Sequence, residues 1–346
     1  MDYKISVIIP TYNSEKYIEK AINSVFNQSI GFENIELIIV DDNSTDSTRE
    51  IIKKYEKYPN IKCIFQDENS GTPSRGRNIG IDNANSEYVM FLDNDDIYTD
   101  SMCEVLYNTI TETNVDIAMC NYSSAKLNDK EVPLNIIHEN DSIVTYLNPE
   151  ENIDIYKRLL MWDKIFKLDF LNRFNIRCPD GYFREDHYFC IQAFLNTKKV
   201  ASLEDYYGYI YNERFNEGDL SSSKDISTKF LLNNITAEFF NIEFLKKSNN
   251  QKIINHLWGT GICFTTFFYW FVLVDANYAT KKEILNDLYD LIVFSEFNGK
   301  VYNKLWAFFY RNIKNRRFLL IMITAKILNI LYKTPIKTIF QILHSQ

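Results

Sequence analysis

The chain has 346 residues, of which 46% are hydrophobic, 24% charged and 15% aromatic, which excludes disordered and low-complexity classes and leaves room for two domains. Its 38 basic and 46 acidic residues give a net charge of -8, unevenly spread. Residues 301–346 hold eight bases (Lys304, Arg311, Lys314, Arg316, Arg317, Lys326, Lys333, Lys337) and no acid, leaving 30 basic against 46 acidic residues in the first 300. In chain order, the first 120 residues alternate β-branched runs with helical periodicity, the signature of βαβ units and a mostly parallel sheet. Strands are expected at Lys4–Pro10, Ile35–Val40, Ile61–Gln66 and Tyr88–Leu92, and helices at Ser14–Gln28, Thr45–Tyr58 and Ser74–Ala84. The second run (IELIIV) is apolar almost throughout, as befits a strand covered on both faces.

Beyond residue 125 the pattern is mixed. Helices are expected near Glu150–Leu160, Leu168–Phe174 and Asp186–Leu195, with a strand over 206–211 (YYGYIY) and a loop at Ser221-Ser222-Ser223. From Asp225 the chain reads as helical, so the expected organisation is an α/β domain over 1–224 and a helical domain over 225–346.

Ligands of an open parallel sheet lie beyond the carboxyl ends of its strands. Those ends carry Pro10-Thr11-Tyr12-Asn13, then Asp41 to Asp46 (DDNSTD), then Gly71 to Gly80 (GTPSRGRNIG), then Asp93-Asn94-Asp95-Asp96. Three carboxylates in the last four residues repel one another unless a cation sits among them. Oxygen ligands of this kind suit Mg2+ or Mn2+ completed by phosphate oxygens and water. An acidic turn capping the next helix is the plainer alternative. Arg75 and Arg77 flank Gly76 ahead of a helix and suit phosphate, though either alone could be a solvated turn residue. Tyr12 could stack on a base and Asp41 accept an imide N–H, or each could be structural.

The segments SVIIPTYN, ELIIVDDNSTD, ENSGTPSRGRNIG and YVMFLDNDD, in that order and spacing, resemble the nucleotide-sugar-binding half of a family 2 inverting glycosyltransferase with the GT-A fold. That fold is a Rossmann-like, mostly parallel sheet flanked by helices, followed here by the helical C-terminal region. The similarity is close over residues 4–100. It continues more loosely through MWDKIFKLDFL (161–171) and FREDHYF (183–189), which resemble bacterial members that build or decorate teichoic acids, capsules and lipopolysaccharide. The resemblance implies that Pro10, Tyr12 and Asp41 surround the nucleobase, usually uracil. Arg77 takes the place of the family's A-R-N arginine, with Gly76 for the usual alanine, and would face the nucleotide or its phosphates; Arg75 is kept beside it as a nucleotide-binding candidate on its charge and position alone. Asp93 and Asp95 form the DxD pair, Asp95 as the direct metal ligand and Asp93 nearer the ribose or sugar. Asp186 falls where the family keeps its base. The family's Arg-x-x-Ser-like segment is stretched, with six residues between Arg214 and Ser221, so no role is carried over to Arg214.

An inverting transfer is one in-line displacement, needing a base for the acceptor hydroxyl and a cation for the leaving diphosphate. Asp186 is the expected base. Glu185 could raise its proton affinity or bind the acceptor, His187 is a competing base, and a helix-capping acid is the plainer reading of Asp186. Trp162 is a candidate acceptor platform or else a core residue. The expected activity is transfer of a hexose or N-acetylhexosamine from a nucleotide diphosphate sugar, UDP first, to a polysaccharide, teichoic acid or lipid-linked glycan. The alternatives are a catalytically silent nucleotide-sugar-binding subunit and a metal-dependent nucleotidyltransferase. Complete DxD and Glu-Asp segments weigh against the first, and the lack of a glycine-rich loop after the first strand weighs against the second.

The cysteines (Cys63, Cys103, Cys120, Cys178, Cys190, Cys263) form no CxxC pair and read as reduced cytosolic thiols. The N-terminus does not read as a signal peptide, because the apolar run from Ile5 stops at Pro10. Residues 318–343 place Lys326, Lys333 and Lys337 at intervals of seven and four among aliphatics, which suits a helix lying in a headgroup interface. Residues 255–274 lack Asp, Glu, Lys and Arg, but their Gly and Thr content favours a buried or interfacial helix. The expected location is therefore cytoplasmic, attached peripherally to the inner face of the membrane. An ordinary helical domain or an interface between copies of the chain is the alternative for the tail, and nucleic acid is a poor partner for charges interleaved with Leu and Ile.

Overall fold

A computed structural model describes residues 3–125, 144–212, 215–216, 219–220, 227–260, 271–272, 274, 276–302 and 304–333. The chain divides into two compact units, Met1–Gly181 with Glu185–Ser221, and Tyr182–Arg184 with Ser222–Gln346.

The first unit is built on a nine-stranded mixed sheet. β1 (Ile5–Thr11), β2 (Ile35–Asp41), β3 (Ile61–Phe65) and β4 (Tyr88–Phe91) run parallel in the order β3-β2-β1-β4. Every residue of β1, β2 and β4 is buried, which is why their sequences are apolar on both faces. Beyond β4 the order continues β8 (Lys164–Lys167), β6 (Ile117–Ala125), β9 (Val200–Asn212) and β5 (Ile97–Tyr98), while β7 (Val144–Leu147) pairs β9. β8 is antiparallel to both β4 and β6, and β9 is parallel to β6. The carboxyl ends of β6 and β9 therefore lie at the same end of the sheet as those of β1 to β4.

The helices of this unit are α1 (Ile18–Phe26), α2 (Thr48–Lys53), α3 (Ser74–Asn83), α4 (Met102–Thr113), α5 (Leu168–Arg173) and α6 (Glu185–Asn196). α1 presents Ile18, Ala21, Ile22 and Val25 to the core, an i, i+3, i+4, i+7 stripe that drives an otherwise polar segment onto the sheet. α3 has little apolar surface and approaches by being thin instead. A Cβ on Gly80 would lie 2.3 Å from Ile8 Cγ2, and one on Gly76 would lie 3.1 Å from Pro10 Cβ. The expected helix over 150–160 is only a short 3-10 turn at Ile153–Lys157. Asn148 caps that segment locally, its carbonyl accepting from the N–H groups of Glu151 and Asn152. α2 starts later than the periodicity implied, because the Asp46 carboxylate accepts the Thr48 N–H at 3.0 Å and sets the first turn there.

The described residues of the second unit are largely helical: α7 (Thr228–Lys247), α8 (Gln251–Thr260), α9 (Tyr278–Ser295), α10 (Lys304–Lys314) and α11 (Phe318–Lys333). Its core contains Trp258 and Trp306, whose indole N–H donates to the Trp258 carbonyl at 2.6 Å. α9 is capped by Asn277, whose side chain accepts the Thr280 N–H at 2.9 Å. No described helix is long and apolar enough to cross a membrane. Of the run 255–274, residues 261–270 and 273 lie outside the described residues, as do Arg214, Ser221 to Ser223 and the tail beyond Lys333.

Candidate active site

The carboxyl ends of β1 to β4 are bound to one another by side chains drawn from the polar segments that follow each strand. Asn13, at φ 45°, turns the chain after β1; its N–H donates to Ser44 Oγ at 3.0 Å and its Oδ1 accepts the Thr45 N–H at 2.8 Å. Asn and Asp tolerate this left-handed conformation better than other non-glycine residues. Asp42 accepts from Ser70 N–H (2.9 Å), Ser70 Oγ–H (2.9 Å) and Gln66 Nε2–H (2.9 Å), fastening the segment before α3 to β2. Asn94 Nδ2 donates to Thr11 Oγ1 at 3.3 Å, joining the end of β4 to that of β1.

Within this crevice Pro10 is a buried residue of β1 and Tyr12 is 45% exposed just beyond it. Asp41 is 1% exposed. Its Oδ2 accepts from Arg49 Nε at 2.5 Å and from Ser44 N–H at 3.1 Å, while Oδ1 is buried with no hydrogen-bond partner among the described residues. A buried carboxylate oxygen left unpaired costs free energy that a ligand N–H would recover. Arg75 is half-buried at the start of α3, and its side chain makes no hydrogen bond or ion pair among the described residues. The buried hydroxyls of Thr72 and Ser74 beside it likewise lack partners.

Arg77 is differently placed from Arg75. Its side chain is buried, with Nη2 2.6 Å from Asp93 Oδ1 and Nη1 bonded to Glu185 Oε1. Desolvation works against its charge, but Asp93 and Glu185 outweigh it and hold the guanidinium more firmly protonated than usual. The guanidinium thus bridges two carboxylates, joining the acidic turn after β4 to the start of α6.

Asp93 to Asp96 form a tight turn, with the Asp96 N–H donating to the Asp93 carbonyl at 3.1 Å. Asp93 and Asp95 are partly exposed, whereas Asp96 is 1% exposed. Asp96 accepts from Tyr209 Oη–H at 2.6 Å and from the Asn212 N–H at 2.7 Å, and burial, reinforced by Asp95 and Asp93, pushes its carboxyl well above the usual carboxylate range. Tyr209 Oη in turn accepts the Asp93 N–H at 3.3 Å. One acid of the three is therefore a structural anchor to β9. No cluster of three or more His, Cys, Asp or Glu side chains fit to hold a metal exists among the described residues. Asp93 and Asp95 remain as two carboxylates on one turn, a donor set that fits Mg2+ or Mn2+ when phosphate oxygens and water supply the other ligands.

Glu185 and Asp186 open α6. Glu185 is buried against Arg77; burial pushes its carboxyl up to about 7, with Arg77 opposing and Asp186 adding to the rise. Asp186 is half-buried and its Oδ1 accepts the His187 N–H at 2.8 Å. Of the acid pair, Glu185 is committed to Arg77 and Asp186 is the one with solvent access. Trp162 does not stand at the surface. It is 5% exposed in the core, stacked on Tyr209 at 4.0 Å and 21°, the core residue of the two readings the sequence offered. The inward role of Asp96 and the part Tyr209 plays in holding the acidic turn escaped sequence reasoning, which counted Asp96 among the carboxylates around a cation; alternation in YYGYIY was a strand signal and no more.

The model of the family described as glycosyl transferase family 2 matches residues 6–184. The chain belongs to that family. The poly(ribitol-phosphate) beta-N-acetylglucosaminyltransferase TarS of Staphylococcus aureus is 34% identical over 225 residues, covering 65% of this chain and 38% of that protein. TarP, a poly(ribitol-phosphate) beta-N-acetylglucosaminyltransferase of the same species, is 32% identical over 231 residues, covering 66% of this chain and 68% of TarP. A crystal structure of TarS residues 1–349 in complex with UDP-GlcNAc superposes with a TM-score of 0.68 at 25% identity, covering 91% of this chain and 88% of that one. The part of this family 2 chain aligned with TarS in sequence spans 38% of that protein's length, and the superposition with full TarS covers 54% of it; the GT-A fold accounts for the mixed sheet.

Proposed function

We propose that the chain is a metal-dependent, inverting glycosyltransferase that moves a hexose or N-acetylhexosamine from a UDP-sugar to a teichoic acid, another envelope polysaccharide or a lipid-linked glycan. The observation that carries this reading is the unpaired, buried Asp41 Oδ1 in a crevice that also holds exposed Tyr12, unpartnered Arg75 and the Asp93–Asp95 turn. Asp41 would accept the imide N–H of uracil while Tyr12 covers the ring, and Arg75 would meet the diphosphate at the start of α3. Asp95 would ligate the ion directly, with Asp93 nearer the ribose or sugar. A divalent ion held there supplies charge neutralisation for the leaving diphosphate. Asp186 would take the proton of the acceptor hydroxyl, with His187 beside it as a competing base. Glu185 and Arg77 would fix α6 relative to the acidic turn. The relatives named above support the donor and acceptor classes, since their names specify N-acetylglucosamine transfer to poly(ribitol phosphate).

The reading is tested with a panel of nucleotide sugars assayed for donor hydrolysis with and without Mn2+. Manganese-dependent release of UDP from one member is expected. A chain that releases no nucleotide from any donor and binds no UDP in calorimetry is not this enzyme.

We further propose that this chain works at the cytoplasmic face of the membrane through α11. That helix buries Phe318, Ile321 and Ala325 yet exposes Leu319 (63%), Leu320 (43%), Ile323 (50%) and Ile327 (52%). Arg316, Arg317 and Lys326 are exposed along with them, and apolar residues beside bases suit an anionic lipid surface. Replacing Leu319, Ile323 and Ile327 by serine is expected to abolish flotation of the full chain with phosphatidylglycerol vesicles. Self-association lost instead, with flotation intact, would assign the face to a second copy.

A further inference from the structure

We propose that Tyr122, with Tyr211 beside it, is the acceptor-side platform of this site, taking a polyhydroxylated chain of sugar or sugar-alcohol units against its ring; the reaction it would serve rests on the transferase reading above. Tyr122 lies in the carboxyl half of β6, the half that emerges at the same end of the sheet as Asp93. Its register partner in β9 is Tyr209, the residue whose hydroxyl accepts the Asp93 N–H. Trp162 lies stacked on Tyr209, and the Tyr122 ring meets Trp162 at 4.8 Å and 85°. An unbroken series of ring contacts therefore leads from the acidic turn to Tyr122. Buried Trp162 and Tyr209 form its floor, while Tyr122 is 42% exposed. Tyr211 lies two residues beyond Tyr209, half-buried and near-parallel to Trp162 at 6.4 Å and 16°.

The β6–β9 ladder shifts register between Met119 and Asn121 and again between Asn121 and Tyr122. Such irregularities re-aim side chains and concentrate beside active sites. Tyr122 rests one edge of its ring on buried Trp162 and leaves the rest to solvent, and sugar C–H groups pack well on such a ring. Another exposed tyrosine provides the contrast. Tyr146 (50% exposed) pairs with Ala201, next to the first residue of β9 and so at the opposite end of the sheet.

The full chain, loaded with UDP and Mn2+, is titrated with poly(ribitol phosphate) and separately with an N-acetylglucosamine oligosaccharide. One of the two is expected to bind, and Tyr122→Ala to weaken that binding tenfold or more. Tyr122→Phe and Tyr146→Ala are expected to stay within twofold, and UDP affinity to be the same in all. Tyr122→Leu, which keeps an apolar side chain on Trp162 but offers no aromatic face, should resemble the alanine variant while melting like the wild type. Unchanged binding by Tyr122→Ala and Tyr122→Leu, equal loss in Tyr146→Ala, or wild-type protein that binds UDP but neither chain would each overturn the platform. Failure of the wild type to bind UDP would instead remove the transferase reading, and a Tyr122-dependent chain affinity would survive it.

Discussion

Arg77 Nη2 lies 2.6 Å from Asp93 Oδ1, and the other terminal nitrogen of the same guanidinium is bonded to Glu185, 108 positions later in the chain. One buried cation thus ties the turn that follows β4 to the first residue of α6. Removing one partner of a buried ion pair leaves an uncompensated charge, at a cost of about 3–5 kcal/mol. Arg77→Ala is therefore expected to lower the unfolding free energy by roughly that amount, read from urea denaturation. A loss well under 1 kcal/mol would mean the bridge carries little of the fold.

Glu185 gives this bridge a pH dependence. Its folded carboxyl titrates at about 7, against 4.5 for the ordinary group, because burial outweighs the Arg77 charge. The folded state holds the extra proton between those values, so the associated stabilisation is full below about 4.5 and is lost as pH rises through about 7. Wild-type stability should fall across that window relative to Glu185→Gln, which has no proton to lose. Parallel curves for the two proteins would contradict the assignment.

Asp186→Asn keeps the size of the side chain and an oxygen for the His187 N–H. Turnover is expected to drop by roughly 10²–10⁴, as for removal of a general base, while UDP affinity measured by calorimetry stays unchanged. Full activity in this variant would transfer the role to another group, with His187→Gln the next variant to assay.

The two neighbouring acids of the turn separate by role. Asp95→Asn should weaken the manganese-dependent part of UDP binding and leave the melting temperature near that of the wild type. Asp96→Ala strips the acceptor from Tyr209 Oη–H and the Asn212 N–H, and unsatisfied buried donors cost about 1–3 kcal/mol each. It should lower the melting temperature first. Equal effects of both variants on manganese response would refute the division.

Gly80 offers a purely steric test. With its Cβ position 2.3 Å from Ile8 Cγ2, Gly80→Val is expected to destabilise by about 1–3 kcal/mol or more through overpacking. Because the same helix carries Arg75, placed at the diphosphate in the proposed reading, donor affinity should fall with it. A variant of wild-type stability would show that α3 can shift without cost.

Much of this protein could be read from local pattern alone. The runs at Ile5–Ile9 and Ile35–Val40 declare strands buried on both faces, and the stripe Ile18, Ala21, Ile22, Val25 declares a helix, because periodicity is a property of neighbours in sequence. Asp41, Arg75 and Asp93 to Asp96 drew notice for a related reason: a parallel sheet delivers whatever follows its strands to one end. Partners were another matter. That Arg77 would bridge Asp93 and Glu185, that Asp96 would turn inward to Tyr209, and that Trp162 would sink beneath an exposed Tyr122 all depend on tertiary contacts, among them β8, β6 and β9 inserting between β4 and β5. Those pairings join residues tens of positions apart, and burial, which decides whether a charge is a ligand or an anchor, comes into being only when the strands close on one another.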